Sequence, residues 1–406
     1  MKSGLNFLLA ARRCEIAELE QLAQTGELVG AIGRFIHALQ RERGLSNVFL
    51  GSHGQRFAAQ RAQQAAECAR IEQAVRAIFD RLDTEAGSLR NGARLFSRIA
   101  TVLHGLDGLP LLRERVAGQA VGPADATRAF VQLIGGLLAV VFEAADSATD
   151  PQVSRALVAM FNFMQGKEFA GQERAFGAGV FAAGGTGSGA QQQWQHLIES
   201  QDACFRLFRD FADPAVLGVE LASQEPQTLA ELERLRRIGC APLPAGGLDA
   251  SLSQAWYDCC TRRIDAMRAV EDALASHLQR LCAARIAQAR AELHDQQVIH
   301  AALAGPAPLP SPAHYGPHLE RSVLGMLQEQ AQRMQAMSDE LDAVRATLNE
   351  RRVIERAKGL LMAHRHLGED EAYKAMRQMA MSQNRRVLDV AEAVLAMADM
   401  LPGKAQ

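Results

Sequence analysis

Apolar residues recur every three or four positions through most of this chain, and that spacing leaves little choice of fold. Ile32, Phe35, Ile36 and Leu39 make one such stripe; Leu197, Cys204, Phe205, Phe208 and Phe211 make another. Side chains three and four apart share a helix face, so each stripe marks a helix with one side to bury. No stretch alternates convincingly with the period of two that a half-buried strand needs. An abundance of Ala, Leu, Gln, Arg and Glu favours helix as well. The expectation is an all-α fold.

Proline supplies the punctuation. The stretch PAPLPSPAHYGP (306–317) holds five of the 13 prolines and cannot continue a helix. It divides the chain into a large helical region (1–303), a linker (304–320), a long helix (321–350) and a terminal module (351–406). Within the large region, breaks are expected near Pro110, Pro123–Pro151, Pro214–Pro226 and Pro242–Gly247. Two segments there echo each other, QRERGLSNVFLG (40–51) and GQERAFGAGVFAAG (171–184), aligning Glu42-Arg43 with Glu173-Arg174. The echo predicts two packed helical bundles, each placing an arginine at the same level; chance similarity in an Ala-, Gly- and Arg-rich chain is the alternative.

Charge and cysteine narrow the class. A formal net charge of −2 gives no global attraction to nucleic acid, so any such binding must rest on a local basic patch. The seven cysteines form no C-x-x-C pair and read as buried, reduced thiols of a cytoplasmic protein. The start, MKSGLNFLLAARRCE, lacks the ending of a signal peptide, and the longest apolar run, LIGGLLAVVF (133–142), is short of a membrane span. No membrane association is expected. An enzyme is not expected either. None of the 11 histidines follows a glutamate at the three-residue spacing of di-iron bundles, and GGTGSGA (184–190) lacks the phosphate-loop pattern. No cofactor is implied.

Beyond the proline-rich stretch, Leu327, Met334, Leu341 and Leu348 repeat every seven residues, with Leu324, Ala331, Met337 and Val344 between them. This spacing suits a coiled coil, or a helix docked on its own protein. Three short helices come next, over about 351–365, 370–381 and 386–398. Arg351, Arg352, Arg356, Lys358 and Arg365 oppose only Glu355, and Lys374, Arg377, Arg385 and Arg386 have no acid between them. Two cationic clusters beside Tyr373, a ring able to stack on a base, point to nucleic acid.

VIERAKGLLM (353–362), EDEAYKAMRQMAM (369–381) and NRRVLDVAEAVL (384–395) together resemble an ANTAR domain, a three-helix RNA-binding module that follows a coiled coil. The resemblance implies a homodimer that binds two hairpins in leader mRNA and so prevents a terminator from forming. It assigns RNA contact to Lys358, Tyr373, Arg377, Asn384, Arg385 and Arg386, and packing roles to Ala357, Gly359, Leu361 and Met362. In the large region, QRERGLS (40–46), QERA (172–175), SQDACFRLFRDFADP (200–214) and WYDCCTRRIDAMRAVE (256–271) resemble a NIT domain, which senses nitrate and nitrite. The whole chain is similar to the NIT–ANTAR nitrate-responsive antiterminators.

Nitrate is planar, monovalent and weakly hydrated, so its site should offer one or two guanidinium forks between apolar walls. Arg43 and Arg174, one from each bundle, are the first candidates. Arg236 and Arg237 in LERLRRIG rank next, with Arg41 and Arg263 in reserve. The competing role for Arg43 and Arg174 is an ion pair with Glu42 or Glu173 that merely fastens the bundle.

Overall fold

A computed structural model describes residues 4–82, 92–184, 188–241, 247–304, 316–365, 369–383 and 385–400. The described residues contain helices and no strand. They fall into two compact units that divide between Gln328 and Glu329.

The first unit holds two bundles. One comprises α1 (Gly4–Gly51), α2 (Ala58–Asp80), α3 (Gly92–Ala117) and α4 (Pro123–Ser147). The other comprises α5 (Pro151–Ala182), α6 (Ser188–Phe211), α7 (Pro214–Ser223), α8 (Pro226–Cys240) and α9 (Leu252–Ala304). Helix α1 packs on α2 and α4, and α5 packs on α6 and α9; the bundles meet where α1 and α4 lie against α5 and α9. The stripe Ile32, Phe35, Ile36 and Leu39 is fully buried. Each such side chain contributes about 1.5–3 kcal/mol relative to exposure.

Several helices begin where proline said they would. Pro123, Pro151, Pro214 and Pro226 each occupy the first turn, where the missing N–H costs nothing. Asp150 caps α5 by accepting from the Gln152 and Val153 amides at 3.0 Å, and its other oxygen pairs with Arg285 of α9 at 2.8 Å. Pro110 does not punctuate: it lies inside α3, where the buried flanking residues Leu106 and Leu109 hold the helix through the lost hydrogen bond. Helix α4 also departs from expectation. The uninterrupted apolar run is short, but the whole helix is long and apolar enough to span a bilayer. Most of its apolar stretch is instead covered by protein, packed against α1, α3 and α5.

All seven cysteines are free. Five are buried as expected, whereas Cys14 is exposed and Cys240 is half-buried.

The long helix α10 (Gly316–Arg365) is continuous with what the sequence suggested was a separate first helix of the terminal module. It starts inside the expected linker, whose residues 305–315 lie outside the described ones. Leu341, Val344 and Leu348 are buried, whereas Met334 stands 64% exposed, so only part of the heptad seam is covered. Helices α11 (Glu369–Gln383) and α12 (Val387–Met400) complete the second unit. Residues 366–368, between α10 and α11, lie outside the described ones.

Candidate functional site

Helix α5 is the axis of the first unit, and it buries charge. Lys167, Glu168, Glu173 and Arg174 are all buried along it. Successive residues on a helix diverge by about 100°, so Glu173 and Arg174 serve different neighbours.

Glu173 faces α6 and α8. Its carboxylate accepts from Arg236 Nε at 2.8 Å, Arg236 Nη2 at 2.7 Å, Trp194 Nε1 at 3.0 Å and Gln201 Nε2 at 2.7 Å. Burial alone would raise its pKa; the bonds and charge of Arg236 outweigh that and hold it below the usual carboxylate range. Arg263 of α9 donates to Gln201 at 2.9 Å and lies over the Phe205 ring. Burial depresses its pKa. Arg237, one residue beyond Arg236, is exposed, as is Arg41.

Arg174 faces α1 and α9. Its Nη1 donates to Thr261 at 3.0 Å, and its guanidinium lies 5.0 Å from the centre of the Tyr257 ring. The side chain is buried, yet among the described residues no carboxylate pairs with it. Arg43, on α1, is engaged differently. It forks onto Glu168 through Nη1 and Nη2, the latter at 3.2 Å, and Glu168 accepts further from Gln40 at 2.9 Å and Gln172 at 3.0 Å. The expected pairings with Glu42 and Glu173 are therefore not made. Glu42 is bound by Arg113 of α3 at 2.8 and 2.9 Å, just as Glu173 is bound by Arg236. Residues adjacent in a helix cannot reach the same partner when each faces a different neighbour.

Two glycines bring the candidate arginines to one crossing. A Cβ on Gly44 of α1 would sit 2.8 Å from Arg174 Nη2, and one on Gly171 of α5 would sit 2.6 Å from Arg43 Nη2. Each guanidinium thus lies against a bare patch of the opposing helix. Beside them Lys167 Nζ contacts Glu271 of α9 at 2.6 Å and His37 Nδ1 of α1 at 2.9 Å. Burial, then the Lys167 charge, pushes His37 down to about 2, so it is neutral here. Burial likewise lowers Lys167, against the pull of Glu271. At this crossing Glu168 answers Arg43 and Glu271 answers Lys167, whereas Arg174 is a buried positive charge that no carboxylate answers among the described residues. A buried, uncompensated cation is costly, and an anion in contact with it removes the cost.

Of the sequence candidates, Arg43 and Arg174 meet at this crossing, Arg236 is held on the far face of α5, and Arg237 and Arg41 face solvent. Sequence reasoning did not single out Glu168, Lys167, His37, Gly44, Gly171, Tyr257 or Thr261. The R-G pair at 43–44 and the G-Q-E-R run at 171–174 carried the glycine signal.

In the second unit Ala357 and Leu361 pack with Ala372, Met376, Ala380, Val390 and Ala391, and Met362 lies against them. Gly359 does not pack: it is exposed, and a Cβ there would meet nothing within 4 Å. It lies two residues beyond Ala357, on the opposite side of the helix. Lys358 pairs with Glu355 at 2.6 Å. Tyr373 packs partly against the core, and Arg377 is half-buried. Lys374, Arg385 and Arg386 are exposed, with Arg386 reaching Asp389 at 3.4 Å. Asn384 lies outside the described residues.

Family models match both parts of the chain: nitrate and nitrite sensing (NIT) over residues 34–279, and an ANTAR domain over 342–395. The chain is 33% identical over 395 residues to a nitrate regulatory protein of Klebsiella oxytoca, covering 96% of this chain and 94% of that one. The chain belongs to the NIT–ANTAR family. A solved structure of the NasR transcription antiterminator is 32% identical, with a TM-score of 0.62 over 98% of this chain and 99% of that one. The NIT match spans Arg43, Arg174, Arg236 and Arg237, and the ANTAR match spans Lys358 through Arg386. A sensing domain joined to an ANTAR domain is the arrangement of a regulator.

Proposed function

We propose that this NIT–ANTAR protein is a nitrate- or nitrite-responsive transcription antiterminator, whose anion site is the crossing of α1, α5 and α9. The observation that carries the site is Arg174, buried and with no carboxylate partner among the described residues, at the same crossing as Arg43 of the opposing helix. One excess positive charge matches one monovalent anion. Arg174 and Arg43 are the leading contacts; Arg236 and Arg237 rank below them, because Arg236 is already satisfied by Glu173 and Arg237 is exposed. The ligand acts as an effector rather than a substrate, and no cofactor takes part.

The ANTAR unit binds two stem-loops in a leader mRNA. Lys358, Tyr373, Arg377, Asn384, Arg385 and Arg386 are its proposed contacts, and the exposure of Arg385 and Arg386 favours phosphate contact. Met334, exposed on the heptad seam of α10, supports a homodimer. The site of action is the cytoplasm, where nascent RNA is found. Anion binding shifts a packing equilibrium between the two bundles, which meet at α1, α5 and α9, and that shift frees the RNA-binding form.

The test is binding of a two-hairpin leader RNA to the full chain with and without nitrate. Tighter binding with nitrate is expected. Equal binding under both conditions rules out the coupling, and no RNA binding in either removes the antitermination role.

A further inference from the structure

We propose that Tyr257 is a second donor to the bound anion, beside Arg174 and the bare backbone of Gly44, and sets the site's preference for trigonal oxyanions over chloride. This rests on the nitrate reading above and names the group that makes the site selective.

Tyr257 and Thr261 lie four residues apart on α9 and so share one face. The Thr261 hydroxyl donates to the Tyr257 carbonyl at 2.7 Å and accepts from Arg174 Nη1, which fixes the guanidinium plane. Nη2 is then the end turned toward α1. The phenol ring lies under the same guanidinium, so its hydroxyl is positioned by a cation–π contact rather than by a hydrogen bond. Among the described residues that hydroxyl has no hydrogen-bond partner.

Both groups lie close against the Gly44 backbone. A Cβ on Gly44 would lie 2.8 Å from Arg174 Nη2 and 3.0 Å from the Tyr257 hydroxyl. Two donors therefore flank the bare backbone of a buried glycine, and the nearby carboxylates Glu168 and Glu271 are committed elsewhere. An anion that neutralises Arg174 here lies across Nη2 and the phenol oxygen and accepts from both donors. A trigonal oxyanion offers a separate oxygen to each donor. Chloride must serve both from a single centre.

The test is titration calorimetry of the full chain with nitrate, nitrite and chloride, on wild type, Tyr257→Phe, Gly44→Ala and Arg174→Ala. Tyr257→Phe keeps the ring under Arg174 and removes only the oxygen. It is expected to weaken nitrate about 10- to 100-fold, as for loss of a hydrogen bond to a charged group, and to weaken chloride far less. Gly44→Ala drives a methyl group into Arg174 Nη2 and the Tyr257 hydroxyl, displaces both donors and is expected to abolish nitrate binding. Should it fail to fold, Tyr257→Phe carries the test alone. Unchanged nitrate affinity in Tyr257→Phe overturns the proposal, and so does equal weakening of nitrate and chloride. If Arg174→Ala loses nitrate while Tyr257→Phe does not, the anion site stands and Tyr257 is excluded from it. If wild type binds neither nitrate nor nitrite, the nitrate reading falls together with this proposal.

Discussion

Glu42-Arg43 and Glu173-Arg174 are the same dipeptide on two helices that face each other, and their glutamates behave alike. Each turns into its own bundle and binds an arginine there: Arg113 for Glu42, Arg236 for Glu173. Their arginines do not behave alike. Arg43 crosses to α5 and is neutralised by Glu168, whereas Arg174 turns toward α1 and finds a glycine, a hydroxyl and an aromatic face. Repeating a motif gave two equivalent fasteners but, among the described residues, only one neutral pair, and the unequal half is the proposed anion site.

The comparison breaks most visibly on the fastener side. Glu173→Ala leaves Arg236 only its partly exposed pairing with Glu233, at 2.9 Å, and deprives Trp194 and Gln201 of their acceptor, so a loss of about 3 kcal/mol is expected in urea unfolding. A loss below about 1 kcal/mol would mean that Glu233 alone holds Arg236.

The arginines give the sharper contrast. Arg43→Ala leaves Glu168 buried with only Gln40 and Gln172 to bind it, at a cost of about 3 kcal/mol. Arg174→Ala removes a charge that no carboxylate among the described residues balances, so its cost in the absence of ligand is expected to stay below about 1 kcal/mol. Both variants should lose the nitrate response. If chemical unfolding shows equal costs, Arg174 is paired after all and the asymmetry is lost.

His37 sharpens the same junction through pH. It faces Lys167, Arg268, Arg41 and Arg174, and its pKa falls from 6.5 to about 2 on folding. Below pH 6.5 the unfolded chain takes up a proton that the native state refuses, so stability falls as pH is lowered, by up to about 1.4 kcal/mol per unit. His37→Gln should make the decline between about pH 6 and pH 4 shallower by that amount; identical slopes would show that His37 is protonated in the fold.

The smallest effect lies in the ANTAR unit. Arg385→Ala should reduce the slope of log affinity against log salt by about 0.7–0.9 in filter binding to leader RNA. Lys358→Ala should change it less, because Glu355 already holds that lysine. The reverse ranking would reassign the phosphate contacts.

The fold was largely legible, since helix periodicity and proline report local geometry. Pro110 misled because tertiary packing around Leu106 and Leu109 outweighs one lost hydrogen bond. The pairing of Arg43 with Glu168 was not legible: those residues are far apart in sequence, and only the crossing of α1 over α5 joins them. Tyr257 and Thr261 lay inside a recognisable motif, but without helix rotation nothing distinguished them from Trp256 or Cys260 on another face of α9.

Both tryptophans of the chain sit at this contrast, 5.0 Å apart. Trp194 donates to the Glu173 carboxylate and Trp256 to the Arg174 carbonyl, each at 3.0 Å. Ultraviolet emission from the native protein therefore originates beside the very residues that differ. An anion at the proposed site would change the local electric field beside both indoles, so emission from the unlabelled protein should follow nitrate titration if Arg174 is the site.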